Sequence, residues 1–224
     1  LLSEGGFMLG GKIGERQAIL YLLGMNIMSV GILLSTRTNL GVAAISSVAY
    51  SYSTFLHISF GTANFILYII FITAQAILLK SLSYKLLIQI PMAFLVGFFI
   101  DIYDLLVPVM NPKFLSGLFL LILSNILTGV GVYAMTKANL ILDPGNAIVE
   151  TLCHVLRKPF SYLRIRFDIS LVLFTLLSGL ILVHKVVGIG LGTIISAYLI
   201  GKTVGVTDQL IGTPVTNWLD VHKE

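Results

Sequence analysis

Eight apolar blocks separated by short polar joints decide which solvent this chain can fold in. They occupy residues 18–35, 42–56, 62–79, 86–110, 115–135, 147–156, 167–183 and 187–211. Six of them are long enough to cross about 30 Å of hydrocarbon at about 1.5 Å per residue. The other two, 42–56 and 147–156, are short, and blocks of about 10–14 residues are more often re-entrant or interfacial than spanning. Charged residues make up 11% of the chain, less than half of what a soluble domain carries. The sequence therefore predicts an all-α integral membrane protein with about six transmembrane helices plus two short re-entrant or broken helices. No polar segment is long enough to fold alone. Residues 1–16 are polar and glycine-rich and read as a cytoplasmic lead-in, with no cleavable signal evident.

Two polar interruptions organise the blocks. One is Ser35-Thr36-Arg37-Thr38-Asn39-Leu40-Gly41-Val42, and the other is Thr136-Lys137-Ala138-Asn139-Leu140-Ile141-Leu142-Asp143-Pro144-Gly145-Asn146. Asp143 is a good N-cap, Pro144 suits the first helical position, and Gly145 lets the backbone turn. Each interruption reads as the end of one helix and the fresh N-terminus of a short one.

The chain also matches itself. Asn26 to Ser29 resembles Asn125 to Thr128, and Arg37 meets Lys137. Asn39-Leu40 meets Asn139-Leu140, and Phe60 meets Phe160. After a four-residue slip, Gly97 meets Gly201 and Asp104 meets Asp208. The expected organisation is a first unit over 17–110, a second over 111–212, and an interfacial tail over 213–224 carrying Trp218. If the short pieces enter and leave on one side, Lys and Arg concentrate on the side of the N-terminus, leaving only Arg37, Lys113 and Lys185 opposite. The positive-inside rule then puts both termini in the cytoplasm and makes the two units inverted repeats. Eight spans in parallel repeats is the competing arrangement.

Helix N-termini that face a bundle interior present unpaired N–H groups and partial positive charge. The expected cavity lies between Asn39–Val42 and Asn139–Asn146 and suits a small polar, anionic or carboxylate-bearing solute. The candidate binding residues are Asn39, Gly41, Asn64, Tyr68, Asn139, Asp143, Gly145, Asn146 and Lys202. Asn64 and Tyr68 share a helical face with Gln75 in the third block, and Lys202 is the deepest formal charge. Glu150 and Asp168 are candidates for ion or proton coupling, although Asp168 can equally pair with Arg164 at i,i+4.

Other chemistries find no support. The four histidines are scattered, the single cysteine, Cys153, cannot form an internal disulfide, and no nucleotide loop or nucleophile–base pair is present. The expectation is a non-enzyme without metal or cofactor. The net charge of +4 belongs to cytoplasmic loops rather than to a nucleic-acid surface.

The run Gly31 to Val42, then Phe60-Gly61-Thr62-Ala63-Asn64, then Gly97 to Asp101 resembles the YczE/YitT-type group of bacterial membrane proteins. Gly188-Ile189-Gly190-Leu191-Gly192-Thr193, Gly201 and Asp208 resemble the later part of that pattern. The match covers roughly 17–212. It departs at Ala43-Ala44-Ile45, where a Pro-Trp-Asp-like trio is usual, and Asp143-Pro144-Gly145 lies closer to that trio. The resemblance implies a multi-span protein of the bacterial plasma membrane, often presumed a transporter, and supplies no substrate.

Three functions follow as expectations. The first is a small secondary carrier or channel-like transporter with its solute near the midplane. The second is a non-transporting module such as the capture subunit of an ATP-driven importer. The third is a membrane scaffold or assembly factor. The expected partners are the lipid bilayer, a small polar solute and a second copy of the chain.

Overall fold

A computed structural model describes residues 14–220. The lead-in up to residue 13 and the end of the tail, 221–224, lie outside the described residues. Eight helices follow in order among the described residues: α1 (Glu15–Thr36), α2 (Ala44–Leu56), α3 (Phe60–Leu79), α4 (Tyr84–Leu106), α5 (Phe114–Ala138), α6 (Pro144–Leu156), α7 (Phe160–Val183) and α8 (Leu191–Asp220). Helices α1, α3, α4, α5 and α7 are long and apolar enough to cross a membrane. The protein is thus helical and membrane-embedded.

The sequence predicts about six spans, and five of the described helices are long and apolar enough to be spans. Helix α8 is the longest at 30 residues, but Lys202, Asp208 and a polar C-terminal third dilute it. Helix α8 runs through Pro214 to Asp220. Helices α2 and α6 have 13 residues each, about 20 Å of rise and short of a bilayer.

The joints between helices recur along the chain. Among the described residues, six other than glycine adopt a positive φ: Asn39, His57, Lys80, Asn139, Arg157 and His184. They form pairs at matched joints, 39 with 139, 57 with 157 and 80 with 184, the last pair carrying the four-residue slip. Asparagine tolerates this left-handed conformation better than most residues, which explains why it marks both breaks.

Packing fixes the direction of each helix. Gly24 lies against Gly131 and Ala134, Gly31 against Ser124 and Thr128, and Gly117 against the Thr38 carbonyl. Residue numbers rise along α1 as they fall along α5, so the two run antiparallel. Small residues let their backbones approach closely, the usual way that helices associate in lipid. Helices α3 and α4 form a second antiparallel pair. Gly61 faces Gly97 there, and the Gln75 and Gln89 amides bond each other at 3.2 and 3.3 Å. The Asp101 carboxylate accepts from the Gly61 N–H and the Ser59 hydroxyl, each at 2.7 Å.

The bundle therefore has two ends. At the first, α1 and α4 finish and α5 and α8 begin. Arg37 reaches the Asp104 carboxylate at 2.7 Å there. At the second, Lys137 reaches Asp208 at 3.1 Å, and Arg16 donates to the Trp218 carbonyl at 2.6 Å. The residues matched in the sequence thus make corresponding ion pairs, each joining a first long helix to the last helix of its unit. Helices α7 and α8 break the correspondence. They scarcely touch, and a Cβ at Gly201 would meet nothing within 4 Å, whereas one at Gly97 would strike Gly61.

Candidate functional site

The two short helices meet head to head. A Cβ on Gly145, at the start of α6, would lie 2.7 Å from Ile45 at the start of α2. Asp143 caps α6 as its sequence pattern predicts. One carboxylate oxygen, Oδ2, accepts from the N–H of Gly145 at 3.1 Å and of Asn146 at 3.3 Å. The other, Oδ1, is buried with no hydrogen-bond partner. At the opposing terminus Ala43 supplies no side-chain cap to α2.

Side chains from three long helices close around this junction. Tyr68 of α3 and Tyr21 of α1 both stand within electrostatic reach of the Asp143 carboxylate. Asn64 lies one turn from Tyr68, and its amide Nδ2 is buried and unpartnered, as is the Tyr21 hydroxyl. From α7, Arg164 donates to Asn146 Oδ1 at 2.6 Å and to Asp168 Oδ2 at 2.9 Å. Asp143 lies in the connection between α5 and α6, outside the spanning helices. Burial pushes its carboxyl above the usual carboxylate range, against the opposing pull of Tyr68, the backbone N–H groups and Arg164.

The structure thus gathers Asn64, Tyr68, Asp143, Gly145, Asn146 and Asp168 into one cluster. It adds Arg164 and Tyr21, which were not among the candidates. Arg164 was visible as the i,i+4 partner of Asp168, whereas nothing in the apolar run around Tyr21 marks it out. Asn39 and Asn139 stand apart as exposed turn formers, with Asn39 bonded to Asn111. Lys202 is exposed on α8 with its ammonium 5.5 Å from the Tyr198 ring centre, and it has no part in the cluster. Asp168 is held by Arg164, and Glu150 is exposed on the wall of a cavity described next.

The space beside the cluster is unevenly distributed. The gap lined by Asp143, Asn146, Thr136 and Leu142 measures about 10 Å³, at most one water. The gap at the second break therefore has no room for a solute. Next to it, toward the second end, an open cleft of about 390 Å³ lies between α3, α4 and α6. Gln75, Gln89, Lys85, Glu150, Thr151 and His154 line it, and it shares Ile141 and Leu142 with the smaller gap. A third cavity, about 350 Å³ between α2, α3 and α7, has walls such as Val48, Leu67, Phe71 and Phe174, which suit an acyl chain and not a polar solute.

The two breaks also differ. The first, at Leu40–Val42, is sealed by the loop entering α8. The Val42 N–H donates to the Gly188 carbonyl at 3.0 Å, and the Gly192 N–H to the Leu40 carbonyl at 2.7 Å. Gly41, at φ +99°, sits so close to Gly190 that a Cβ would fall 2.5 Å from its nitrogen. The second break faces the 390 Å³ cleft where the matching joint before α4 stands away from it.

These features define a multi-span helical membrane protein built around a buried polar junction. The chain belongs to a family of unknown function (DUF6198), which it matches over residues 15–209. No curated protein and no solved structure matches it.

Proposed function

We propose that the protein is a small secondary carrier for a small polar solute, with the open cleft as its entry and the junction around Asp143 as its inner limit. In this reading the two four-helix units are inverted repeats, and α2 and α6 dip into the bilayer and return. The antiparallel α1–α5 pair, the paired left-handed joints and the short α2 and α6 support that arrangement. One observation carries the functional reading: two corresponding breaks stand in different states, the first sealed by glycine-to-glycine contact and the second beside an open cleft. A carrier in which the units exchange these roles would open to one side at a time.

The cleft mixes amides, hydroxyls and side chains of both charges, so a polar solute with both donors and acceptors fits it better than a simple anion. By the positive-inside rule the cleft opens to the cytoplasm of a bacterial plasma membrane, with both termini on that side and no catalytic step. The resemblance to YczE/YitT-type proteins and a homodimeric assembly belong to the same proposal. Purified protein in liposomes tests it. Solute flux by this chain alone is expected. Tight binding without flux would replace the carrier with a capture subunit, and neither would leave a scaffold.

A further inference from the structure

The charges at the junction do not balance side chain by side chain. Two carboxylates, Asp143 and Asp168, face one guanidinium, Arg164. That guanidinium is committed to Asp168 through Nε and to Asn146 through Nη1. Asp143 accepts two backbone N–H groups at Oδ2, its buried Oδ1 makes no hydrogen bond of ordinary geometry, and the side-chain hydroxyl that reaches the carboxylate, Tyr68, is neutral. An ionised carboxylate has about four lone-pair positions to satisfy, and leaving buried polar capacity unmet is costly. The groups that face it are Tyr21 from α1, Tyr68 from α3 and Arg164 from α7, while α2 contributes the uncharged Ile45. None of these offers a second cation. The adjoining gap of about 10 Å³ has no room for a hydrated metal ion and its ligands.

We infer that Asp143 Oδ1 is a proton-binding site of the junction. Its proton comes by way of the one-water gap beside it, which adjoins the cleft at Ile141 and Leu142, and the carboxylic acid donates to the neighbouring Tyr68 hydroxyl. A proton satisfies Oδ1 without a new partner side chain and removes the uncompensated charge. Oδ2 meanwhile continues to cap α6, so the helix keeps its N-terminus in both states. The raised proton affinity that burial imposes on this carboxyl agrees with the geometry. Asp143 thereby takes the coupling role that the sequence offered to Glu150 or Asp168. As a coupling site it rests on the carrier reading; as a proton site it stands apart from it.

The test uses the purified full chain in detergent and needs no solute. Infrared difference spectra over a pH titration in potassium buffer read the carbonyl stretch of protonated carboxyl groups. The expected result is a protonated-carboxyl band that persists above the pH at which an ordinary carboxyl ionises and then titrates in a single step. Asp143→Asn removes that step and Asp168→Asn keeps it. If the asparagine variant is not recovered folded, Asp143→Ser, which retains a capping hydroxyl, serves the same comparison. Absence of any band that outlasts the ordinary carboxyl range overturns the inference. So does its survival in the Asp143 variants, or its loss when sodium replaces potassium. None of these outcomes depends on flux, so failure of the carrier reading would be seen separately in liposomes.

Discussion

Gly190→Ala tests the seal over the first break. The added Cβ would lie 2.4 Å from the Leu40 carbonyl oxygen and 3.0 Å from its carbon. Both are backbone atoms that no rotamer change can move. Ordinary contact begins near 3.4 Å, so the loop must retreat by about 1 Å. That retreat breaks the two hydrogen bonds that close the seal, Val42 to Gly188 and Gly192 to Leu40. At about 1 kcal/mol net for each bond, closure is weakened by about 2 kcal/mol. Since about 1.4 kcal/mol is tenfold, the open fraction rises about 30-fold. The assay places a cysteine at Ser47, which is buried beneath the loop and whose carbonyl faces Gly188. With Cys153 changed to serine, labelling by a membrane-impermeant thiol reagent is followed on intact vesicles. Labelling from the first-end side should rise by more than tenfold in the Gly190→Ala background. An unchanged rate in a folded variant would refute the seal and remove the main support for alternating states.

Matched glycines should behave oppositely in thermal unfolding. Gly61→Ala drives a Cβ to 1.9 Å from the Gly97 carbonyl and should cost about 1–3 kcal/mol, while Gly201→Ala meets nothing and should be neutral or stabilising by up to about 1 kcal/mol. The two matched ion pairs should differ as well. Asp104→Ala leaves the buried Arg37 guanidinium without its carboxylate and should cost about 1–3 kcal/mol in denaturant titration, whereas Asp208→Ala opens an exposed pair and should change stability by less than about 1 kcal/mol. Because the folded Asp143 carboxyl is raised, the folded state holds its proton more tightly than the unfolded chain, and stability should fall as pH rises through the folded value. Asp143→Asn should flatten that fall and match or exceed the native melting temperature above the folded value. Asp143→Ala, which also loses the cap, should be less stable than Asp143→Asn by about 1 kcal/mol.

Hydropathy by itself determined the solvent, the helical class and the positions of the two breaks, because a chain this apolar must satisfy its backbone within helices. The Asn-Leu interruptions and Asp143-Pro144 were legible for the same local reason: a left-handed turn and an N-cap are written into a few adjacent residues. The pairing of Arg37 with Asp104 and of Lys137 with Asp208 was foreshadowed by the self-match, although which residues touch was not. Lys202 shows the limit of reading depth from sequence. It sits inside an apolar block, yet the face of α8 that carries it is turned outward. Only the tertiary structure decided that Tyr21 joins Asp143, that Arg164 is spent on Asp168 and Asn146, and that one break is sealed while its counterpart borders a cleft. Those facts depend on how helices distant in sequence pack against one another. Local propensity carries no record of such packing, and two nearly equivalent units can resolve it in different ways.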